Sequence, residues 1–364
     1  MQTSGKAAGK RVLFLDQGML KHRRGKPVHG VELFRLLLMQ DLIDRGVRVT
    51  AAVDPAWRRA IRERFPNRAE RPELICPPRP LYGTVINAVA AAVMARLRRR
   101  PFDAVVYGDP RRGLRPAMAL AERLGVAKRG LVFAHRTPRK NSAHAIARLR
   151  LPVVAVSEHV ALGFRDAGIE DVRVEYGLPN ADEFHPPESP VDDGITRFVL
   201  LGRLPNRSKR HREAVEAFQS LPEDVRSRCE LHLASFVGEP DVESPGVITH
   251  RWMRIQEVPE FLRRMDVMLA ISSNETFSQA IVQGMLTGLP IIATPLPVYT
   301  EKLGAGGGIV CQRLCELPHA MEQLARDPDR RRAMGDVGRG TALDRYVWDT
   351  DRFIEHHLFP AARR

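Results

Sequence analysis

The chain has 364 residues, enough for about two domains with cores of their own, and a net charge of +14 from 57 Lys+Arg against 43 Asp+Glu. Its four cysteines, Cys76, Cys229, Cys311 and Cys315, form no Cys-x-x-Cys pair and no Cys/His metal spacing, which excludes a disulfide scaffold and a zinc ribbon. No apolar stretch reaches the roughly 18 residues that a membrane-spanning helix needs.

The N-terminal residues lead straight into a strand with no apolar signal core. A cytoplasmic protein with reduced, mostly buried thiols is therefore expected. The strand at 11–16 (RVLFLD) is followed by a long loop, a helix from about Val31 to Arg45 and a second strand at 47–53. Further apolar runs at 102–109, 130–135, 152–157 and 172–177 continue the series, with helical segments between them. Strands alternating with helices predict a parallel, doubly wound sheet. A stretch rich in Pro, Asp and Asn at 178–194 reads as a linker. A second series follows at 196–203, 229–236, 246–252, 266–272, 290–294 and 307–311, and the last segment reads as three helices. The expected architecture is α/β, with two Rossmann-like doubly wound domains facing a central cleft where a ligand binds.

Residues 267–294 (VMLAISSNETFSQAIVQGMLTGLPIIAT) carry the densest signal. The pattern is buried strand, loop, helix, buried strand, with the loop at the carboxyl end of a parallel sheet. A helix beginning near Thr276 would aim free N–H groups and a positive dipole end at a phosphate or at sugar hydroxyls. A purely structural βαβ unit has the same periodicity.

The residues Glu275 and Phe277, followed by Gly288 and Pro290, resemble the donor-binding signature of the retaining, family 4 glycosyltransferases of the GT-B fold. That pattern runs Glu-x-Phe-Gly-x5-Glu and then Gly-x-Pro. Ser278 stands where Gly is usual, and Gln283 where the second Glu is usual. Other landmarks occur in the family's order: Phe184, Pro186 and Pro187 in the linker, LGRLPNRSKR (201–210) after it, and GGIV followed by the Trp348 segment at the end.

The resemblance implies a first, acceptor-binding domain over residues 1–185, a nucleotide-sugar domain over 186–345, and a C-terminal helix, 346–364, that crosses back to the first domain. It implies that Arg203 and Lys209, just beyond Gly202, bind the donor diphosphate. The spacing is one residue longer than usual, so Arg207 and Arg210 are alternatives to Lys209. Glu275 is implied to hold the sugar hydroxyls, helped by the backbone N–H groups of Phe277, Ser278 and Gln279. Gln283 is implied to meet the ribose, where an amide accepts a hydrogen bond without charge assistance. Gly30 matches the second Gly of a Gly-Gly-x-Glu loop that reaches the diphosphate from the first domain; His29 replaces the first, and Glu32 reads as an N-terminal helix residue. His135 matches a histidine that touches the donor sugar, and a structural histidine is the alternative.

The donor is expected to be a nucleoside diphosphate sugar, UDP-linked, with a hexose-type sugar. No obligatory cofactor or metal is expected. Asp327-Pro328-Asp329 and Asp349-Thr350-Asp351 sit at helix starts, where Asp caps a helix.

Charge points to the acceptor. Residues 1–185 hold 34 Lys+Arg against 18 Asp+Glu, and residues 186–364 hold 23 against 25. So uneven a distribution suggests an anionic partner for the first half. A membrane lipid or lipid-linked glycan comes first, with peripheral contact at the inner membrane face; a nucleic acid with a hydroxylated base comes next, and a small natural product third. His22-Arg23-Arg24-Gly25-Lys26 reads either as an acceptor-phosphate loop or as a solvated loop, and the basic helix ending at Met94–Arg100 either as a lipid-facing or a sheet-packed element. A non-catalytic nucleotide-sugar binder is the reading from a different class. The sequence leaves the oligomeric state open.

Overall fold

A computed structural model describes residues 7–16, 30–53, 57, 61–62, 65, 67, 71–76, 89–90, 100–109, 114–178, 180–189, 193–204, 206–236, 238, 242–251 and 253–361, with the side chain of Glu32 excepted. His29, the 22–26 loop and residues 94–99 lie outside the described residues. The chain divides into two compact units, Met1–Pro179 with Asp349–Arg364, and Asn180–Trp348. The sequence placed these boundaries at 185/186 and 345/346. The buried Phe184 already belongs to the second unit.

In the first unit the apolar runs form a parallel sheet whose inner strands are buried on both faces, as helices on either side require, while the edge strands are partly exposed. The strands are β1 (Arg11–Leu15), β2 (Arg48–Ala52), β3 (Glu73–Ile75), β4 (Ala104–Tyr107), β5 (Gly130–Ala134), β6 (Val153–Ala155) and β7 (Val172–Val174). Their order across the sheet is β3-β2-β1-β4-β5-β6-β7, and every described pairing is parallel. The three-residue β3 is the strand that the periodicity did not reveal. Leu15 pairs with both Ala52 and Tyr107, so β1, β2 and β4 end level at the carboxyl edge.

The C-terminal segment folds onto this same unit. Asp349 caps its first turn by accepting from the Arg352 N–H at 2.9 Å. Beyond β7, the buried Glu175 carboxylate accepts from His357 Nε2 at 2.7 Å and from Arg352 at 2.8 Å. Asp351 pairs with Arg45 at 2.8 Å, and Thr350 donates to Asp41 at 2.8 Å.

The second unit holds β8 (Thr196–Gly202), β9 (Cys229–Ser235), β10 (Val247–His250), β11 (Val267–Ala270), β12 (Ile291–Ala293) and β13 (Gly308–Val310), ordered β10-β9-β8-β11-β12-β13. Phe198, Leu200, Leu231, Leu233, Phe218, Met321 and Leu324 build its core against the helices His211–Gln219 and Leu317–Arg326. On the helix Gln279–Leu286, Gly284 lets the backbone come close to the sheet: a Cβ there would lie 2.8 Å from Met268 Sδ. Cys229 and Cys311 are buried, and burial pushes both thiols up to about 11. They are inert as nucleophiles at neutral pH. Cys76 is half-buried and Cys315 exposed, so two of the four thiols are not buried as expected.

Candidate functional site

In an open parallel sheet, ligands bind where the strand order reverses, outside the carboxyl ends of the strands. In the second sheet that point lies between β8 and β11, which pair directly through Val267–Phe198 and Met268–Val199. The loops leaving these two strands carry the residues that the sequence singled out.

Past β8 the chain runs through the exposed Arg203 into a single tight turn, Arg207–Lys209. Asn206 caps that turn by accepting from the Ser208 N–H at 3.0 Å. Arg210 has φ of 55°, and only then does the helix His211–Gln219 begin. Ser235, at the end of β9, donates to the Leu204 carbonyl at 2.8 Å and ties the loop down. The loop after β11 is joined to this turn by a 2.8 Å hydrogen bond from the Ser273 N–H to the Ser208 carbonyl.

Across this junction the Lys209 ammonium pairs with the Glu275 carboxylate, and both side chains are less than a fifth exposed (17% and 18%). Gly202 makes the approach possible. A Cβ there would sit 3.1 Å from Lys209 Cε and 3.3 Å from Cδ, so the lysine stem lies where a side chain would otherwise be. An ammonium carries three donors, so one contact with Glu275 is compatible with a second to a diphosphate. Lys209 takes this position, rather than Arg207 or Arg210, through the tight turn at 207–209.

The Glu275 loop differs from expectation at its end. The sequence suggested a helix starting near Thr276, but it starts at Gln279, after Ser278 takes φ of 63° and ψ of 80°. A left-handed residue there turns the chain into the helix. For a non-glycine this conformation costs about 1–2 kcal/mol. The glycine usual in the resembling signature therefore has a backbone reason. Ser278→Gly is expected to stabilise the second unit by about 1 kcal/mol, read as a higher denaturant midpoint. An unchanged or lower midpoint would contradict the assignment of strain to this position.

Tyr299 lies beneath the loop, only 1% exposed. Burial pushes its hydroxyl well above the ordinary phenol range, and the nearby Glu275 charge adds to this, against hydrogen bonds to Ser272 and Ser278. Phe277 is 8% exposed, so its ring packs inward and its backbone is what the loop offers to a ligand. Gln283 is also 8% exposed, on the Gln279–Leu286 helix. Arg203, Lys209, Glu275, Phe277 and Ser278 thus lie on the loops of one switch point, and Gln279 and Gln283 on the helix that follows, all in one unit.

In the first unit Gly30 and His135 are linked through Phe34. Gly30 has φ of 55° and precedes the helix Val31–Asp44, its carbonyl accepting from the Phe34 N–H at 3.0 Å. The Phe34 ring meets the His135 ring edge-on at 5.4 Å, and Phe133 tilts against it at 4.9 Å. His135 follows β5, is 5% exposed, and has its N–H held by Asp109 Oδ1 at 2.7 Å. Burial and the adjacent Arg35 charge hold its pKa well below the usual histidine range, so the ring is neutral. Arg35 pairs with Asp16 at the end of β1, a buried contact that sequence reasoning missed.

Asp327 and Asp349 cap helices, accepting from Arg330 at 2.8 Å and Arg352 at 2.9 Å. Among the described residues no group of three or more His, Cys, Asp or Glu side chains is placed to hold a metal.

Residues 196–327, which carry both switch-point loops, match the family model of the glycosyl transferases group 1. HepE from Anabaena, solved with UDP and also with UDP-glucose, is similar over 93% of this chain and 96% of its own, at 17% identity and a TM-score of 0.71. The sucrose-phosphate synthase of Thermosynechococcus elongatus is similar over 96% and 98% of the two chains, at 15% identity and a TM-score of 0.71. WaaG, a glycosyltransferase of lipopolysaccharide biosynthesis, matches over 96% and 100% at 15% identity and a TM-score of 0.65. The fold is that of the GT-B glycosyltransferases. Identities this low establish the shared architecture alone. No curated protein matches the chain.

Proposed function

We propose that the protein is a retaining glycosyltransferase of the family 4 type that moves a hexose from UDP to a hydroxyl of an anionic acceptor. The observation that carries this reading is the Lys209–Glu275 pair at the switch point, inside the segment that matches the group 1 model. A cation beside a carboxylate suits a ligand with a diphosphate next to sugar hydroxyls. Lys209 and Arg203 would take up the charge that develops on the leaving phosphate oxygens, and Glu275 would accept from the sugar. The bond from the anomeric carbon to the diphosphate breaks and a new one forms to the acceptor oxygen on the same face. The acceptor proton passes to the departing phosphate, so no protein nucleophile is needed. UDP as carrier is supported by the UDP-bound crystals of HepE.

For the acceptor, the excess of 34 basic over 18 acidic residues in the first 185 supports an anionic lipid or lipid-linked glycan. This fits a cytoplasmic enzyme working at the inner membrane face. No helix of the described residues is long and apolar enough to cross a membrane.

The test is a screen of UDP-sugars for binding and for UDP release in water, followed by transfer to anionic and neutral lipid vesicles and to RNA and duplex DNA across a salt series. Binding with slow UDP release marks an enzyme, and binding without release a passive sensor. Acceptor binding should weaken steeply between about 50 and 200 mM salt while donor binding changes little. Failure of every nucleotide sugar to bind would overturn the reading. Equal binding to neutral and anionic vesicles would remove the anionic acceptor.

A further inference from the structure

Behind the Glu275 loop lies a buried cation. Lys302, on the helix Pro297–Leu303, is 1% exposed. Its ammonium sits 4.4 Å from the centroid of the Phe277 ring and 5.0 Å from that of Tyr346, and donates to the Val298 carbonyl at 3.3 Å. The two rings stand edge-to-face at 6.5 Å. Among the described residues no carboxylate lies within ion-pair distance of it. An apolar side chain would fill this space without desolvating a charge, and aromatic faces replace only part of the lost hydration.

What the cage touches suggests why the charge is there. Phe277 lies two residues beyond Glu275 and immediately before the left-handed Ser278, so its ring anchors the turn that presents the carboxylate. We propose that Lys302 is a positioning residue for the sugar half of the donor site: its caged ammonium holds Phe277, and through it the turn carrying Glu275. The role rests on the donor-site reading above.

The charged and titratable groups around Lys302 are Glu301 and Tyr299 on its own helix, Glu275 on the loop, and Arg345 and Tyr346 at the end of the helix Pro328–Arg345. Burial lowers the Lys302 pKa to about 8; Glu301 and Glu275 favour the charged form, and Arg345 opposes it. The folded pKa lies below the unfolded one, so the positioning charge is present below about pH 8 and lost as pH rises through that value.

The experiment compares wild type with Lys302→Met, which keeps length and removes charge, and with Tyr346→Leu, which opens the cage around an intact lysine. Affinities for UDP-glucose and UDP are measured between about pH 7 and pH 9.5, together with amide exchange over residues 275–279 in the ligand-free protein and the melting temperature. At the lower pH, Lys302→Met should lose about fivefold or more in UDP-glucose affinity, the loss of one desolvated cation–π contact, with UDP within about twofold. Wild type should lose its preference for UDP-glucose as pH rises, and the variant should show no such change. Exchange at 275–279 should quicken in both variants even where the melting temperature holds or rises. An unchanged ratio of the two affinities, an unchanged pH profile, or unaltered exchange would each overturn the proposal. If wild type binds no nucleotide sugar, the donor-site reading fails, and exchange at 275–279 alone decides the role of Lys302.

Discussion

Lys209→Ala should lower the rate of donor turnover by about a hundredfold or more, the usual consequence of removing one preorganised group that stabilises charge on a leaving oxygen. Gly202 and the 207–209 turn hold Lys209 against Glu275, so little reorganisation would remain for the proposed diphosphate contact. Its loss would also leave the Glu275 carboxylate partly buried without its cation, an unfavourable charge beside the proposed diphosphate position. A double-mutant cycle with Glu275→Gln separates these effects. Glu275→Gln alone should affect the sugar-dependent part of affinity. Lys209→Ala with Glu275→Gln should melt closer to wild type than Lys209→Ala alone, because the second change removes the carboxylate left without its cation. The measurements are UDP release from the donor, UDP and UDP-sugar affinity, and thermal unfolding of each variant. A Lys209→Ala protein that melts like wild type and releases UDP at the wild-type rate would refute the role given to this lysine.

Gly335→Ala should destabilise the second unit by about 3 kcal/mol, at the upper end of what overpacking costs. On the helix Pro328–Arg345, a Cβ at Gly335 would stand 2.0 Å from the Gly288 carbonyl oxygen, so the backbone itself must move. A flexible side chain would yield at such a contact, but a carbonyl held in the Gly288–Pro290 turn has little freedom. Arg339, one turn further on, donates to the Leu286 carbonyl and fixes the same junction. The displacement would travel along the Gln279–Leu286 helix toward the Glu275 loop, so nucleotide affinity should fall with stability. Gly340→Ala is the control. A Cβ there meets nothing within 4 Å, and alanine in an exposed helix should be neutral or stabilising by about 0.5–1 kcal/mol. Equal melting of the two variants would show that the helix is not seated against Gly288 as described.

The alternation of apolar runs with helical segments was enough to read two parallel sheets, because strands buried on both faces are apolar without interruption. The β3 strand escaped because three residues, Glu73–Ile75, are too few to establish a period. Helix ends were less legible than helix bodies. Ser278 itself does not announce the left-handed conformation that delays the helix to Gln279; only the glycine usual at that place in the resembling signature hints at it. The helical caps at Asp327 and Asp349 were legible because capping is local, joining a side chain to an N–H three residues away.

The sequence by itself determined the fold class, the two strand series and the two loops that bear Arg203, Lys209 and Glu275, all of which follow from local periodicity and motif. Tertiary structure decided which of these residues meet. Lys209 and Glu275 are 66 positions apart and touch because the strand order places β8 beside β11. It alone revealed the Lys302 cage, whose members Phe277, Lys302 and Tyr346 come from three separate elements. In sequence Lys302 is one more lysine on a short helix. Its burial between two rings depends on how the helices fold over the sheet, and neither composition nor spacing encodes that contact.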